Sequence, residues 1–335
     1  MKIKSAKFLR HLIAVALFAA TIQLHAQHYP SGSEGIKAAT TPPPGFYVRD
    51  DNSAYYSDRI PGYAGQLSAN PFASGFDIFT YVQTIRMEWI TKWQFLGADY
   101  GMGIRLPFTY KYHNQKSPSI LEKIQGIPVG PAITTVNKFG LSDIQVNPLN
   151  LAWHLNQFDV VTGYSFWVPT GQYDHKQLYF LNLGQGFWTH MFTLGVTWYP
   201  DADKTWAVSL LNNYEINMAQ YSDKYVAASP PYVTTLDTTL GDIYTLEWAI
   251  SKSIKKNVDL GLTGYYQQQV TDTQGPTWFG PTYNSEKIHV AGIGPEIKLA
   301  SEKWGLSGSL RYAYEFSALD HPQGNLITLT LLKSF

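Results

Sequence analysis

The residues of this chain whose types and spacing invite chemistry are charged side chains recurring on the polar face of a two-residue alternation. They are Arg86, Glu88, Asp99 and Arg105 in the first third, Glu215 and Glu247 in the middle, and Glu296, Lys298, Arg311 and Glu315 near the end. Carboxylates and guanidiniums gathered on one surface either pair into a hydrogen-bonded network or form a polar constriction that filters a solute. The sequence leaves both open. Catalysis is poorly served. His154, His190 and His289 fall in extended segments, and none has a Gly-x-Ser-x-Gly nucleophile context nearby. Paired-His metal spacing, cysteine ligands and a Gly-rich phosphate loop are all missing. We therefore expect no enzyme, no metal and no cofactor.

Two further sets of residues suit a ligand. Tyr232, Trp278 and Phe279 lie in long Gly/Pro-containing connections, where aromatic rings can stack on an apolar or planar molecule. Gly292, Gly294 and Pro295 interrupt a strand-like segment. Gly and Pro inside a strand mark a bulge or a break in the ladder, so these residues are candidates for a lateral opening.

The elements that carry these residues are strands. In 206–217, Trp206, Val208, Leu210, Tyr214 and Ile216 share one face, against Ala207, Ser209, Asn213, Glu215 and Asn217 on the other. The segments 96–110, 243–251 and 304–316 alternate in the same way, and about twelve such strands follow one another from Gly45 onward. Short turns near 91–93, 156–157, 200–204, 254–257 and 300–303 alternate with longer connections at 51–74, 113–138, 171–186, 218–240, 272–285 and 318–323. An even-stranded antiparallel up-and-down β-barrel spanning a membrane produces that order, with short periplasmic turns and long extracellular loops. Trp89, Trp93, Trp153, Trp198, Trp206 and Trp304 all fall near short turns, where a membrane interface would gather amphipathic rings.

Composition and termini agree. Aromatics make up 15% of the chain and charged residues also 15%, and 25 basic residues balance 25 acidic ones. Nothing there attracts nucleic acid. Residues 1–26 read as a signal peptide, with Lys2, Lys4, Lys7 and Arg10 ahead of an apolar run and a cleavage site at Leu24-His25-Ala26. Residues 27–45, rich in Pro and Gly, read as a mobile periplasmic lead-in, leaving 46–335 as the barrel domain. The last strand places Ile327, Leu329, Leu331 and Phe335 on one face and ends on an aromatic residue that assembly machinery can read.

Several stretches resemble the outer-membrane phenol-degradation meta-pathway protein family, whose members are regarded as transporters. They are Gly140-Leu141-Ser142-Asp143-Ile144 with Asn147-Pro148-Leu149-Asn150-Leu151, Pro169-Thr170-Gly171-Gln172-Tyr173-Asp174, Asn213-Tyr214-Glu215-Ile216-Asn217, Leu260 to Gln268 with Thr271-Asp272, and Gly292-Ile293-Gly294-Pro295. The resemblance implies passive uptake of small hydrophobic or aromatic solutes and supplies no binding residue. The expected protein is an outer-membrane barrel channel. Its expected partners are membrane lipid and lipopolysaccharide, the barrel-assembly machinery through the strand ending at Phe335, and a small hydrophobic solute. The alternative is a barrel with a closed lumen that serves as a structural or surface-binding protein.

Overall fold

The computed structural model describes residues 27–59, 61, 76–115, 135–173, 182–218, 223–226, 233–236, 239–274, 287–319 and 321–335. The signal peptide, Tyr232, Trp278 and Phe279 lie outside the described residues. The strands in chain order are β1 Gly45–Ser57, β2 Phe76–Phe95, β3 Ala98–Gln115, β4 Thr135–Leu141, β5 Ile144–His154, β6 Phe158–Val168, β7 Thr189–Trp198, β8 Trp206–Asn217, β9 Asp223–Val226, β10 Val233–Leu236, β11 Ile243–Lys255, β12 Val258–Gln269, β13 His289–Ser301, β14 Leu306–Leu319 and β15 Gly324–Ser334. Among the described residues β9 and β10 pair only with each other. The others form an antiparallel wall that closes where β15 meets β1, from Tyr47↔Ser334 to Ser57↔Gly324. β4 and β5 are two pieces of one wall strand, because β3 pairs with β4 through Phe108–Asn114 and with β5 through Asp99–Arg105. The wall is a closed twelve-stranded barrel.

The two-residue period sorts the side chains as the sequence predicts. Leu210 is 42% exposed on the outside, while its neighbour Ser209 is 1% exposed on the inside. The outer surface also carries Leu194, Ile250, Leu262, Ile297, Leu310 and Leu329, with Trp89, Trp93, Trp198, Trp206 and Trp304 exposed toward the short-turn end. A continuous apolar band of this kind would drive aggregation in water, and a bilayer is its natural solvent. At the closing seam the Phe335 N–H donates to the Phe46 carbonyl at 2.9 Å, and the two rings lie 6.1 Å apart.

Two boundaries differ from the sequence reading. β2 continues through 91–93 and turns at Leu96–Gly97, both with positive φ (51° and 77°), the left-handed pair that matches strand twist in a tight hairpin. The sequence reading places a short turn at 91–93. There Thr91 repairs an irregularity instead, its Oγ1 accepting from Trp93 N–H at 3.1 Å and donating to the Tyr100 carbonyl at 2.9 Å. β1 also runs on to Ser57 although 51–74 reads as a loop. Its polar residues are satisfied across the ladder, with Asn52 accepting from Tyr81 Oη at 2.5 Å and Asp50 from Gln83 Nε2 at 3.2 Å.

The largest correction concerns residues 27–44, which are not a mobile periplasmic lead-in. They run inside the barrel, with Tyr29, Ile36 and Ala39 buried. The segment starts at the long-loop end, where His28 meets Asp143 and Thr189. It descends to the short-turn end, where Thr40 Oγ1 lies 2.8 Å from Tyr199 Oη. Pro and Gly keep it out of regular structure without making it mobile, because the wall supplies its hydrogen-bond partners.

Candidate functional site: the plugged lumen

A backbone that forms no sheet or helix still has to satisfy its N–H groups once buried. Here the inward carboxylates do it. Glu215 Oε1 accepts from the N–H groups of His28 (3.1 Å) and Tyr29 (2.9 Å). Glu247 takes the N–H groups of Ser33 (3.0 Å) and Glu34 (2.9 Å), together with the Tyr29 hydroxyl (2.8 Å). Glu296 accepts from Ile36 N–H at 2.9 Å and also receives Arg311 Nη1 at 3.3 Å. Carboxylate-to-N–H bonds are short and about twice as strong as neutral ones, which suits burial. Gly35, at φ 78°, passes so close to Arg311 and Glu296 that a Cβ would overlap both.

The segment supplies one carboxylate of its own. Glu34 receives Arg49 Nη1 at 2.7 Å, Arg86 Nη1 at 2.5 Å and Arg105 Nη2 at 3.0 Å. Asp51 takes the Nε atoms of Arg49 (2.8 Å) and Arg86 (2.7 Å). Three guanidiniums thus share two carboxylates at the centre of the barrel. The Ser33 carbonyl accepts Arg49 Nη2 at 2.7 Å and Arg311 Nη2 at 3.0 Å. Near the outer end, Asp143 accepts from His28 Nε2 (2.9 Å), Gly171 N–H (2.8 Å) and Gln185 N–H (2.6 Å), and the His28 ring stacks on Trp167.

Of the residues singled out from sequence, Arg86, Arg105, Glu215, Glu247, Glu296 and Arg311 converge on the plug. Glu315 belongs to a separate group, accepting from Tyr55 Oη (2.7 Å), Tyr265 Oη (2.8 Å) and Gly324 N–H (2.7 Å). Glu88 faces inward below Arg86, its Cγ 3.2 Å from where a Cβ on Gly103 would stand. Lys298 faces inward across from Asp259. Asp99 is a rim residue, accepting from Gln94 Nε2 at 3.1 Å close to the His154–Asp159 pair. The β13–β14 register shifts between Ala291 and Gly292, which face Ser317 and Glu315, and not at Gly294–Pro295, where the spacing from Ile293↔Tyr314 to Glu296↔Arg311 is even. The inner side there is covered: the Tyr265 ring occupies the place of a Gly292 side chain, and a Cβ on Gly294 would overlap the Tyr312 carbonyl. His289 Nε2 lies 3.3 Å from Ser317 Oγ, with no carboxylate bridging the imidazole among the described residues. Arg49, Asp51, Glu34, His28 and Asp143 escaped the sequence reading. The Arg49/Asp51 spacing in β1 was the one signal on offer.

The interior is not completely filled. Along β1–β3 two adjoining cavities of ≈ 210 Å³ and ≈ 160 Å³ remain between the wall and the plug, and they share Thr80, Val82, Thr84, Arg86 and Lys111. Tyr55, Tyr265 and His321 line the larger, and Arg105, Pro107, Trp167 and Leu183 the smaller.

An apolar outer band, an aromatic rim and a polar interior define an outer-membrane β-barrel. The family described as "Putative MetA-pathway of phenol degradation" matches residues 57–331, and the chain belongs to it. In fold it is similar to the crystal structure of an outer membrane channel from Pseudomonas putida F1, with a TM-score of 0.67 at 12% identity over 92% of this chain and 100% of that one. The β domain of the Bordetella autotransporter BrkA is also similar, with a TM-score of 0.51 at 12% identity over 87% and 100% of the two chains. No curated protein matches by sequence.

Proposed function

We propose that this barrel passively admits small hydrophobic or aromatic solutes across the outer membrane, and that residues 27–44 set the width of the passage. The observation that carries the reading is the asymmetry of the lumen. Toward β6–β14 the plug is packed against the wall, with Ala39 on Val161 and Leu211 and with the carboxylate anchors above it. Along β1–β3 the two cavities persist, and each is about the size of the 150 Å³ apolar cavity that takes up benzene. The family's description ties its members to phenol degradation, and the Pseudomonas putida protein of the same fold is an outer membrane channel. Both support the reading.

The cavities end at the Glu34 cluster, so passage beyond it goes with movement of the plug. That same packing favours the second reading, a closed barrel with a structural role. A sideways exit at β13–β14 requires Tyr265 to leave Gly292, and the proposed route does not use it. The test is planar-bilayer conductance and liposome swelling with refolded full-length protein. Measurable conductance with entry of benzyl alcohol faster than of a sugar of similar size supports the channel. Neither conductance nor solute entry leaves the closed barrel.

A further inference from the structure

The wall shared by the two cavities is unusual in where it keeps charge. The inner faces of β2 and β3 are registered as Arg86↔Arg105, Thr84↔Pro107, Val82↔Thr109 and Thr80↔Lys111. Cations stand at both ends of this strip and no charge stands between, over about 20 Å at about 3.4 Å per residue. At the outer end Lys111 is directly opposite Lys138 on the neighbouring strand, both on the inner face. Lys111 Nζ donates to the Asn182 carbonyl at 2.6 Å, a neutral acceptor, and forms no ion pair with a carboxylate among the described residues. At the inner end Arg105 gives Nη2 to Glu34, while its Nη1 is buried without an acceptor.

The acidic groups nearby are already committed. Asp143 is held by His28 and two backbone N–H groups, Glu34 and Asp51 by the three arginines, and Glu315 by two tyrosines. Among the described residues the smaller cavity is therefore lined by Arg86, Arg105 and Lys111 with Asp143 as its one carboxylate, beside the apolar surfaces of Pro107, Trp167 and Leu183.

We propose that this slot is a binding site for a small organic monoanion with a flat apolar body, of the aromatic carboxylate class, whose head group is taken by Lys111. The inference rests on the channel reading and narrows it: the preferred solute carries a negative charge, and a neutral ring of the same size is held less well. A carboxylate held by Lys111 Nζ lies in the same cavity as Arg105, whose buried Nη1 has no acceptor. The ring then lies against Trp167 and Pro107, in a volume suited to one ring.

The experiment is calorimetric titration of refolded full-length protein in detergent with benzoate and with benzyl alcohol, repeated for Lys111→Gln and Lys111→Met. The glutamine keeps a donor for the Asn182 carbonyl and guards against a loss caused by misfolding. Benzoate is expected to bind about tenfold more tightly than benzyl alcohol, a modest yield for one charge pair after desolvation, and both variants should bring the two ligands within about threefold. Equal affinities in the native protein, or a benzoate preference that survives both substitutions, overturns the site. Liposome swelling separates the two ideas. Benzyl alcohol entry without benzoate preference removes this site and leaves the channel. Benzoate binding without entry of either solute removes the channel and leaves the site.

Discussion

Replacing Glu34 with Ala tests whether the plug is held by its charge cluster. Glu34 is the shared acceptor of Arg49, Arg86 and Arg105, and its side chain is only 12% exposed. Its loss leaves Arg49 and Arg86 with Asp51 and takes from Arg105 its ion-pair partner, so the local balance shifts by one positive charge. Breaking a buried ion pair by removing one partner costs about 3–5 kcal/mol, because the remaining charge stays desolvated. At about 1.4 kcal/mol per factor of ten, the docked-to-open ratio of this stretch falls roughly a hundred- to several-thousand-fold. The wall hydrogen bonds do not involve Glu34, so the barrel itself stays folded. Hydrogen exchange reads the effect at the amides of Glu34 and Ile36, which are bonded to Glu247 and Glu296. Both should exchange faster, and bilayer conductance should rise. Lys256→Ala is the control, because the Lys256–Glu302 pair is about three-quarters exposed and a surface pair of that kind contributes little. Unchanged exchange at both amides together with unchanged conductance would refute the account of the cluster as the plug's clasp.

Leu210→Arg, on the lipid face, should destabilise the barrel by about 2–4 kcal/mol in urea unfolding from bilayers if it sits near mid-depth; no loss would place it outside the hydrocarbon. Ser209→Arg is not the mild counterpart that strand alternation alone suggests. Ser209 is fully enclosed, so this change should raise protease sensitivity of residues 27–44, and an unaltered plug would contradict the packing. Gly294→Val should abolish heat-resistant folding on gels instead of merely straightening β13, because the added carbon meets the Tyr312 carbonyl; native yield at the ordinary level would count against the geometry. The β7–β8 turn carries a pH signature. Hydrogen bonds from the Thr205 side chain and the Trp206 N–H hold the Asp201 carboxyl down at about 2, from an ordinary 3.8. A lowered value means that the turn's extra stability is complete above pH 3.8 and lost as pH falls through about 2. The Thr205 and Trp206 amides should therefore stay protected at pH 3 and open near pH 2, and opening centred near pH 4 would be inconsistent with these bonds.

The wall was legible in the sequence because each strand sorts its own side chains, and a two-residue period needs no knowledge of distant partners. Leu210 beside Ser209 and Leu310 beside Arg311 declare their faces locally. The inward carboxylates were legible as positions but not as roles. Glu215 and Glu247 serve backbone N–H groups, and a backbone N–H has no identity in a sequence. Glu34 sits in a Pro/Gly-containing stretch without periodicity, so nothing local separates it from a solvated loop residue. The β1 boundary is misread for a related reason: Asn52 looks like a loop residue until Tyr81 is seen across the ladder.

The Ser33 carbonyl joins strands on either side of the closing seam, Arg49 on β1 and Arg311 on β14, with β15 between them. Those bonds span 16 and 278 residues of sequence, and the Tyr29–Glu215 bond spans 186. Contacts so distant along the chain carry a large loop-closure entropy and form late in folding. The Ser33 strap cannot be completed before β15 has found β1, since only then do both guanidiniums reach one oxygen. Ordering of the plug is thus kinetically subordinate to cylinder closure. An incompletely zipped intermediate keeps an unsealed interior, and the final ordering step acts as an internal report that the first and last strands have met.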